Sequence, residues 1–233
     1  MKMRLALLAF LVSFAANFIW LGGPLDWRMP LAAVAAWYLA DLLSGLIHMY
    51  MDYRPVPPGS GLADVYFYKG SHDSEHYHTL RKQALARVGP IDRLAFDFKF
   101  HHPRPEVLGR RKLIYQVRST VIVLSLPFSV ELNAACLIWH VPNWLVAGAI
   151  VLIVAGSLSQ YFHGSLHREK NPWFILFLRR IGLLMTPAAH AVHHTTLERD
   201  FSVINGWSNP LVNVIFRFLL RRHILKEDGL EPT

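Results

Sequence analysis

Apolar residues in this chain fall in long runs, not in the interleaved pattern of a soluble core. Residues 5–21 and 145–162 carry no charge. Residues 31–51 are interrupted by Asp41 and contain His48 near their end, and residues 120–139 carry Glu131. Each run is close to the roughly 20 apolar residues that a helix needs to cross a bilayer. The pattern predicts four transmembrane helices, about 5–21, 31–51, 120–139 and 145–162. The third and fourth are joined through residues 139–144, with Trp139 and Trp144 at the two ends of a tight turn, as expected of interfacial tryptophans. Two later apolar stretches, 174–185 and 211–220, are too short to span. They are broken by Arg179-Arg180 and by Arg217, and read as amphipathic helices lying in the interface. The first run has a rival reading: Lys2 and Arg4, an apolar stretch and small residues at 13–16 also suit a cleaved signal peptide. The topology is the same either way.

With 53% hydrophobic residues concentrated in those runs, the 233-residue chain reads as one all-α, membrane-embedded domain over residues 1–233. An inner loop spans 52–119 and an inner tail spans 163–233. All but one of the 24 Lys and Arg residues lie in segments 1–4, 52–119 and 163–233, the exception being Arg28. The positive-inside rule therefore places both termini in the cytoplasm. The net charge of +8 is accounted for by that inner face meeting anionic lipid. No nucleic-acid motif is present. The single cysteine, Cys136, excludes an internal disulfide, a cysteine-rich zinc site and a cysteine-ligated cluster.

Histidine changes the picture. Eight of the thirteen fall in four clusters, all at or beyond the inner ends of spans: His48, His101-His102, His163-x-x-x-His167 and His190-x-x-His193-His194. Residues three or four apart share one helix face. His163 and His167 can thus address one metal or two neighbouring ones, and His190, His193 and His194 form a similar edge. A lone histidine at a membrane end is ordinarily a hydrogen-bonded interfacial residue, so His140 and His223 are set aside. Four clusters on one side predict a histidine-rich metal-binding cap on the cytoplasmic face. The second span also carries a polar stripe, Asp41, Gly45, His48 and Asp52, at steps of four, three and four. Asp41 lies two turns, about 10 Å, from His48. It and Asp52 are read as outer partners that orient imidazoles. An acidic residue inside a span is costly enough to suggest a role. Glu131 is expected to pair with Asn133 or to face a neighbouring helix.

The ordered string Ala40-Asp41-x-x-Ser44-Gly45-x-x-His48, Phe100-His101-His102-x-x-Pro105, His163-x-x-x-His167 and His190-x-x-His193-His194 resembles the Kua/CarF-like lipid desaturases. The segment Ser202-Val203-Ile204-Asn205-Gly206-Trp207-Ser208-Asn209-Pro210 is similar to that family's closing Gly-Trp-x-Asn-Pro. The resemblance covers most of residues 35–213. It implies a non-haem di-iron site held by the eight histidines, using O2 and two electrons to desaturate an acyl or ether-linked chain of a membrane phospholipid. Imidazole also suits zinc, copper or nickel, so iron rests on the resemblance alone. The chain has no haem-binding cytochrome segment and no flavin or dinucleotide fingerprint, which implies a separate cytochrome b5-like or ferredoxin-like electron donor.

The sequence departs from the family in its long inner loop, where His72, His76 and His78 form a further cluster read as a solvated loop or substrate lid. Residues 195–201 differ as well, leaving the substrate open. Two other functions remain: a lipid or sterol hydroxylase with a similar di-iron site, and a non-enzymatic haem- or metal-binding membrane protein. Paired and tripled histidines at helix ends argue against haem, and the lack of His-Glu-x-x-His argues against a zinc protease.

Overall fold

A computed structural model describes residues 2–22 and 24–225. Among the described residues there are twelve α-helices and no strand. Four helical segments among the described residues are long and apolar enough to cross a membrane: Met3–Leu21, Arg28–Tyr53, Leu113–Ile138 and Asn143–Leu166. The first is α1 (Lys2–Asn17) with a 3-10 turn, the second is α2 (Arg28–Tyr53) and the fourth is α9 (Asn143–Leu166).

The third span starts at residue 113, seven residues earlier than the hydropathy pattern predicts. There α7 (Leu113–Thr120), a π-helical turn (Val121–Ser125) and α8 (Leu126–Ile138) run on without leaving helical backbone. Pro127, near the start of α8, has no N–H for the carbonyl four residues back, and the wider π turn just before it absorbs the mismatch.

Helices α2 and α9 form the centre of the bundle and run parallel in one register. Gly148 lets α9 approach Ala32, where an added Cβ would lie 3.2 Å from the Ala32 Cβ. Ala40 and Ala155 share a buried cluster, and the His48 and His163 rings lie 4.9 Å apart. Both helices therefore end, with their histidines, at the same end of the bundle. Helix α1 and the 3-10 turn after it are held to α8 by polar contacts suited to an apolar medium: Ser13 to Ser129 at 2.8 Å, Asn17 to the Ser129 carbonyl at 3.1 Å, and Trp20 to Asn133 at 2.9 Å. Glu131 does not pair with Asn133, which bonds Ser13 and Trp20 instead; Glu131 is exposed on the bundle surface. Leu8, Leu11, Val34, Val123 and Leu137 point outward, as lipid-facing side chains would.

The remaining helices cap the end where α2 and α9 finish. The segment expected as a loop is mostly helical: α3 (Leu62–Tyr66), α4 (Glu75–Ala86), α5 (Pro90–His101) and α6 (Pro105–Arg110). Leu62, Val65, Tyr77, Phe96 and Phe100 give α3–α5 their own core. The two amphipathic stretches fold as α10 (Trp173–Arg180) and α12 (Asn209–Arg221). Gly182, at φ 76°, turns the chain after α10. Between them α11 (Pro187–Thr196) starts on a Thr186 side-chain cap, with Pro187 in its first turn. It carries His190, His193 and His194.

Candidate metal centre

The cap brings all eight histidines together in two adjoining groups of donor atoms. His101, His163, His167, His190 and His194 form one; His48, Asp52, His102 and His193 form the other. Within each, one donor atom per residue lies within 4.8 Å of the rest. The groups meet where the His101 and His102 rings lie 4.3 Å apart and the His48 and His193 rings 4.6 Å apart. His48, His163, His190 and His193 are at most 1% exposed, and Asp52 is fully buried.

Three of the rings are fixed from behind by main-chain carbonyls. His48 Nδ1 lies 2.9 Å from the Phe201 carbonyl, His193 Nδ1 lies 3.0 Å from that of Arg199, and His101 Nδ1 contacts that of Phe98. A carbonyl only accepts, so each Nδ1 carries the hydrogen and each Nε2 presents a lone pair. Those three Nε2 atoms are buried with no hydrogen-bond partner, as are His167 Nε2, Asp52 Oδ2 and the Nδ1 atoms of His102, His163 and His190. The Nε2 atom of His190 lies 3.1 Å from that of His163 and 3.2 Å from that of His194. Nitrogens bound about 2.1 Å from one ion sit about 3 Å apart when adjacent, so this spacing fits metal ligation. Asp52 reaches three imidazoles: His48 and His193 at 3.3 Å through Oδ2, and His102 at 3.2 Å through Oδ1.

Burial and neighbouring imidazoles hold four of these histidines neutral. Desolvation pushes His101 and His190 well below the usual imidazole value, His167 down to about 4 and His194 to about 2. Neutral imidazole is the form that binds a metal. Orphaned buried nitrogens, neutral rings and a carboxylate in contact with three imidazoles together fit a pair of metal ions. They do not fit a set of ordinary interfacial histidines, whose nitrogens would find water or protein partners.

Two residues do other work than the sequence suggests. Asp41 contacts no imidazole directly. Its Oδ1 accepts from the amides of Ile204, Asn205 and Gly206 at 3.2, 2.9 and 3.1 Å, and its Oδ2 from the amide and hydroxyl of Ser208 at 3.0 and 2.7 Å. It thus ties the segment after α11 onto α2. Asp52, read from the sequence as an outer partner, also stands within the second donor group, with its Oδ1 3.2 Å from His102 Nε2 and its Oδ2 without a hydrogen-bond partner. The i,i+4 step from His48, the same spacing as His163 to His167, was the signal for it. The whole α2 stripe serves one purpose: Asp41 grips residues 204–208, Gly45 leaves room for Ser202, where a Cβ would collide with its Oγ, His48 takes the Phe201 carbonyl, and Asp52 meets His193. Sequence reading also missed Lys99, which is 1% exposed and whose ammonium donates to the Asp52 carbonyl, joining α5 to the end of α2. Its place in the run Phe96-Asp97-Phe98-Lys99-Phe100, between two buried phenylalanines, was its mark.

Residues 90–233 match the family model described as a lipid desaturase domain. The chain belongs to that lipid desaturase family. It is also 29% identical, over 141 residues, to the plasmanylethanolamine desaturase of Myxococcus xanthus, an alignment covering 58% of this chain and 48% of that protein. The chain therefore spans about half the length of the curated relative it matches. No solved structure matches it. The part matching the desaturase family holds seven of the eight clustered histidines; His48 and Asp52 lie before it, on α2.

The His72, His76 and His78 cluster stays outside both donor groups. His72 packs its ring 4.2 Å from Tyr77, while His76 and His78 are exposed on α4.

Proposed function

We propose that this protein desaturates a chain of a membrane phospholipid, acyl or ether-linked, in an O2-dependent reaction at two iron ions. His101, His163, His167, His190 and His194 would hold one ion; His48, Asp52, His102 and His193 would hold the other. The observation that carries this reading is the pair of adjoining, buried, orphaned donor groups at one end of a membrane bundle. Membership of the lipid desaturase family supports iron over the other metals that imidazole accepts.

The chemistry iron supplies is O2 reduction: O2, two electrons from a donor and two protons, with two hydrogens from the chain, give a double bond and two waters. The protein's own part is placement and exclusion of water. Buried rings hinged on the Phe98, Arg199 and Phe201 carbonyls keep their lone pairs aimed inward. The Asp52 carboxylate offsets cationic charge in a site from which water is excluded. Because the site lies where α2 and α9 end, a lipid chain reaches it without leaving the bilayer. From the basic residues, both termini and the cap face the cytoplasm, where an acidic cytochrome b5-like or ferredoxin-like donor would meet a positive surface.

The test is to supply the purified protein with O2, a reductant, a donor protein and phospholipids, and to weigh the products. Loss of two hydrogens, only in the presence of O2, is the expected result. Gain of an oxygen atom would make the protein a hydroxylase. No O2-dependent change in any lipid, with metal bound, would refute both.

A further inference from the structure

The turn that leaves α11 is strained. Leu197 and Asp200 both take left-handed backbone, at φ 56° and 62°, and neither is glycine. A residue with a Cβ resists that conformation, a leucine more than an aspartate, so neighbours must hold the turn in shape. Between the two lies Arg199, whose carbonyl accepts the His193 Nδ1–H at 3.0 Å. Two residues outside the turn hold it. At the end of α2, the Tyr53 hydroxyl donates to the Leu197 carbonyl at 3.1 Å. On α12, Asn213 grips Asp200 with both ends of its amide. Its Oδ1 accepts from the Asp200 N–H at 2.9 Å, and its Nδ2 donates to Asp200 Oδ1 at 3.0 Å. Asp200 Oδ2 in turn accepts from Arg199 Nε at 2.9 Å. Three residues beyond Asn213, Phe216 packs its ring 5.1 Å from that of Phe201, which lies 4.9 Å from the His193 ring. Helix α12 is thus seated against the turn and the imidazole together.

We propose that Tyr53 and Asn213 are positioning residues for His193: by clamping the strained turn on either side of Arg199, they fix the carbonyl that sets the tautomer and direction of that ring. The proposal rests on the reading of His193 as a donor in the proposed function, and deepens it. A turn held at both ends leaves the Arg199 carbonyl one place. Without the clamp, Leu197 and Asp200 relax towards negative φ and the carbonyl swings away. His193 then loses the acceptor that keeps the hydrogen on Nδ1 and the lone pair on Nε2. The effect falls on the group of His48, Asp52, His102 and His193. The His101 ring, in the other group, is fixed separately by the Phe98 carbonyl.

The test compares the full-length protein with Tyr53→Phe/Asn213→Ala, with that pair plus Leu197→Gly, and with Ser129→Ala, a destabilised control between α1 and α8. Glycine takes left-handed backbone without a Cβ penalty, so it should hold the turn without the clamp. Imidazole nitrogen NMR of chelator-treated protein reads the His193 Nδ1–H, assigned by its loss in His193→Gln. Thermal melts and an iron titration followed by Mössbauer spectra run in parallel. The double variant should lose the His193 Nδ1–H signal and keep that of His101. It should also bind iron about tenfold more weakly in the second group, as for loss of a residue that orients a ligand. Adding Leu197→Gly should restore most of both, whereas Ser129→Ala should lower the melting temperature and change neither. A His193 signal that persists in the double variant overturns the proposal. So does a loss that Leu197→Gly fails to restore, or a fading of all ring signals together that Ser129→Ala reproduces. A His193 signal that follows the clamp in protein that binds no iron, or desaturates no lipid, upholds the clamp and refutes only the desaturase reading.

Discussion

His48 gives one ring nitrogen to the protein and the other to the cluster. Its Nδ1–H is committed to the Phe201 carbonyl, so its Nε2 faces Asp52 without a proton. His193 repeats the arrangement through Arg199. Such rings are costly to replace, because nothing else nearby can supply a lone pair at that point. His163→Ala and His193→Ala should each abolish desaturation, seen as loss of product by lipid mass spectrometry, and each should lower the metal bound per chain. His76→Ala, on the exposed face of α4, should leave turnover unchanged; loss of activity there would mean that the donors are assigned to the wrong histidines. Asp52→Asn keeps the volume and removes the charge. It should deplete metal from the group holding His48, His102 and His193 while sparing the other, which iron Mössbauer spectra would register as one remaining iron environment. The eight histidines were legible in the sequence because every cluster falls at or beyond the same end of an apolar span. Asp52 was not, because spacing alone does not separate a carboxylate that joins the donors from one that orients them.

The stripe on α2 and the 201–208 segment form a single joint. Five hydrogen bonds from that segment converge on Asp41, and the joint sets the position of the Phe201 carbonyl that orients His48. In Asp41→Asn an amide N–H must face backbone N–H donors, leaving buried groups unpaired. That should cost about 2–4 kcal/mol, read as a lower melting temperature. Activity should fall less than for loss of a histidine, about 10–100-fold. Sequence showed that an acidic residue at this depth had work to do, but not what it held. Its partners are main-chain amides some 160 residues away, and hydropathy carries no trace of them. The cap differs from expectation for a similar reason. Helices α3–α5 are short and polar outside, so a search for apolar runs reads them as loop, yet Tyr77, Phe96 and Phe100 give them a core.

Across the whole molecule, the bundle's parallel pair α2 and α9 delivers two ligand-bearing ends to one level, and α5 and α11 close over them with the remaining histidines. Four helices from distant parts of the chain meet at the same donors, so a metal held there would couple its binding to the folding of the cap. Stripping the metal with a chelator should lower the melting temperature by several degrees, and restoring iron should recover it; an unchanged melt would mean that the cap holds its shape without metal. The four spans were legible as runs, although the third begins a helical turn or two early because the π turn keeps it continuous past Pro127. The measurement that bears most directly on this account is the metal content of purified protein by elemental mass spectrometry. Two irons per chain are expected, falling towards one in Asp52→Asn. Folded protein that carries no metal after iron is offered, or one that binds zinc alone and excludes iron, would contradict it.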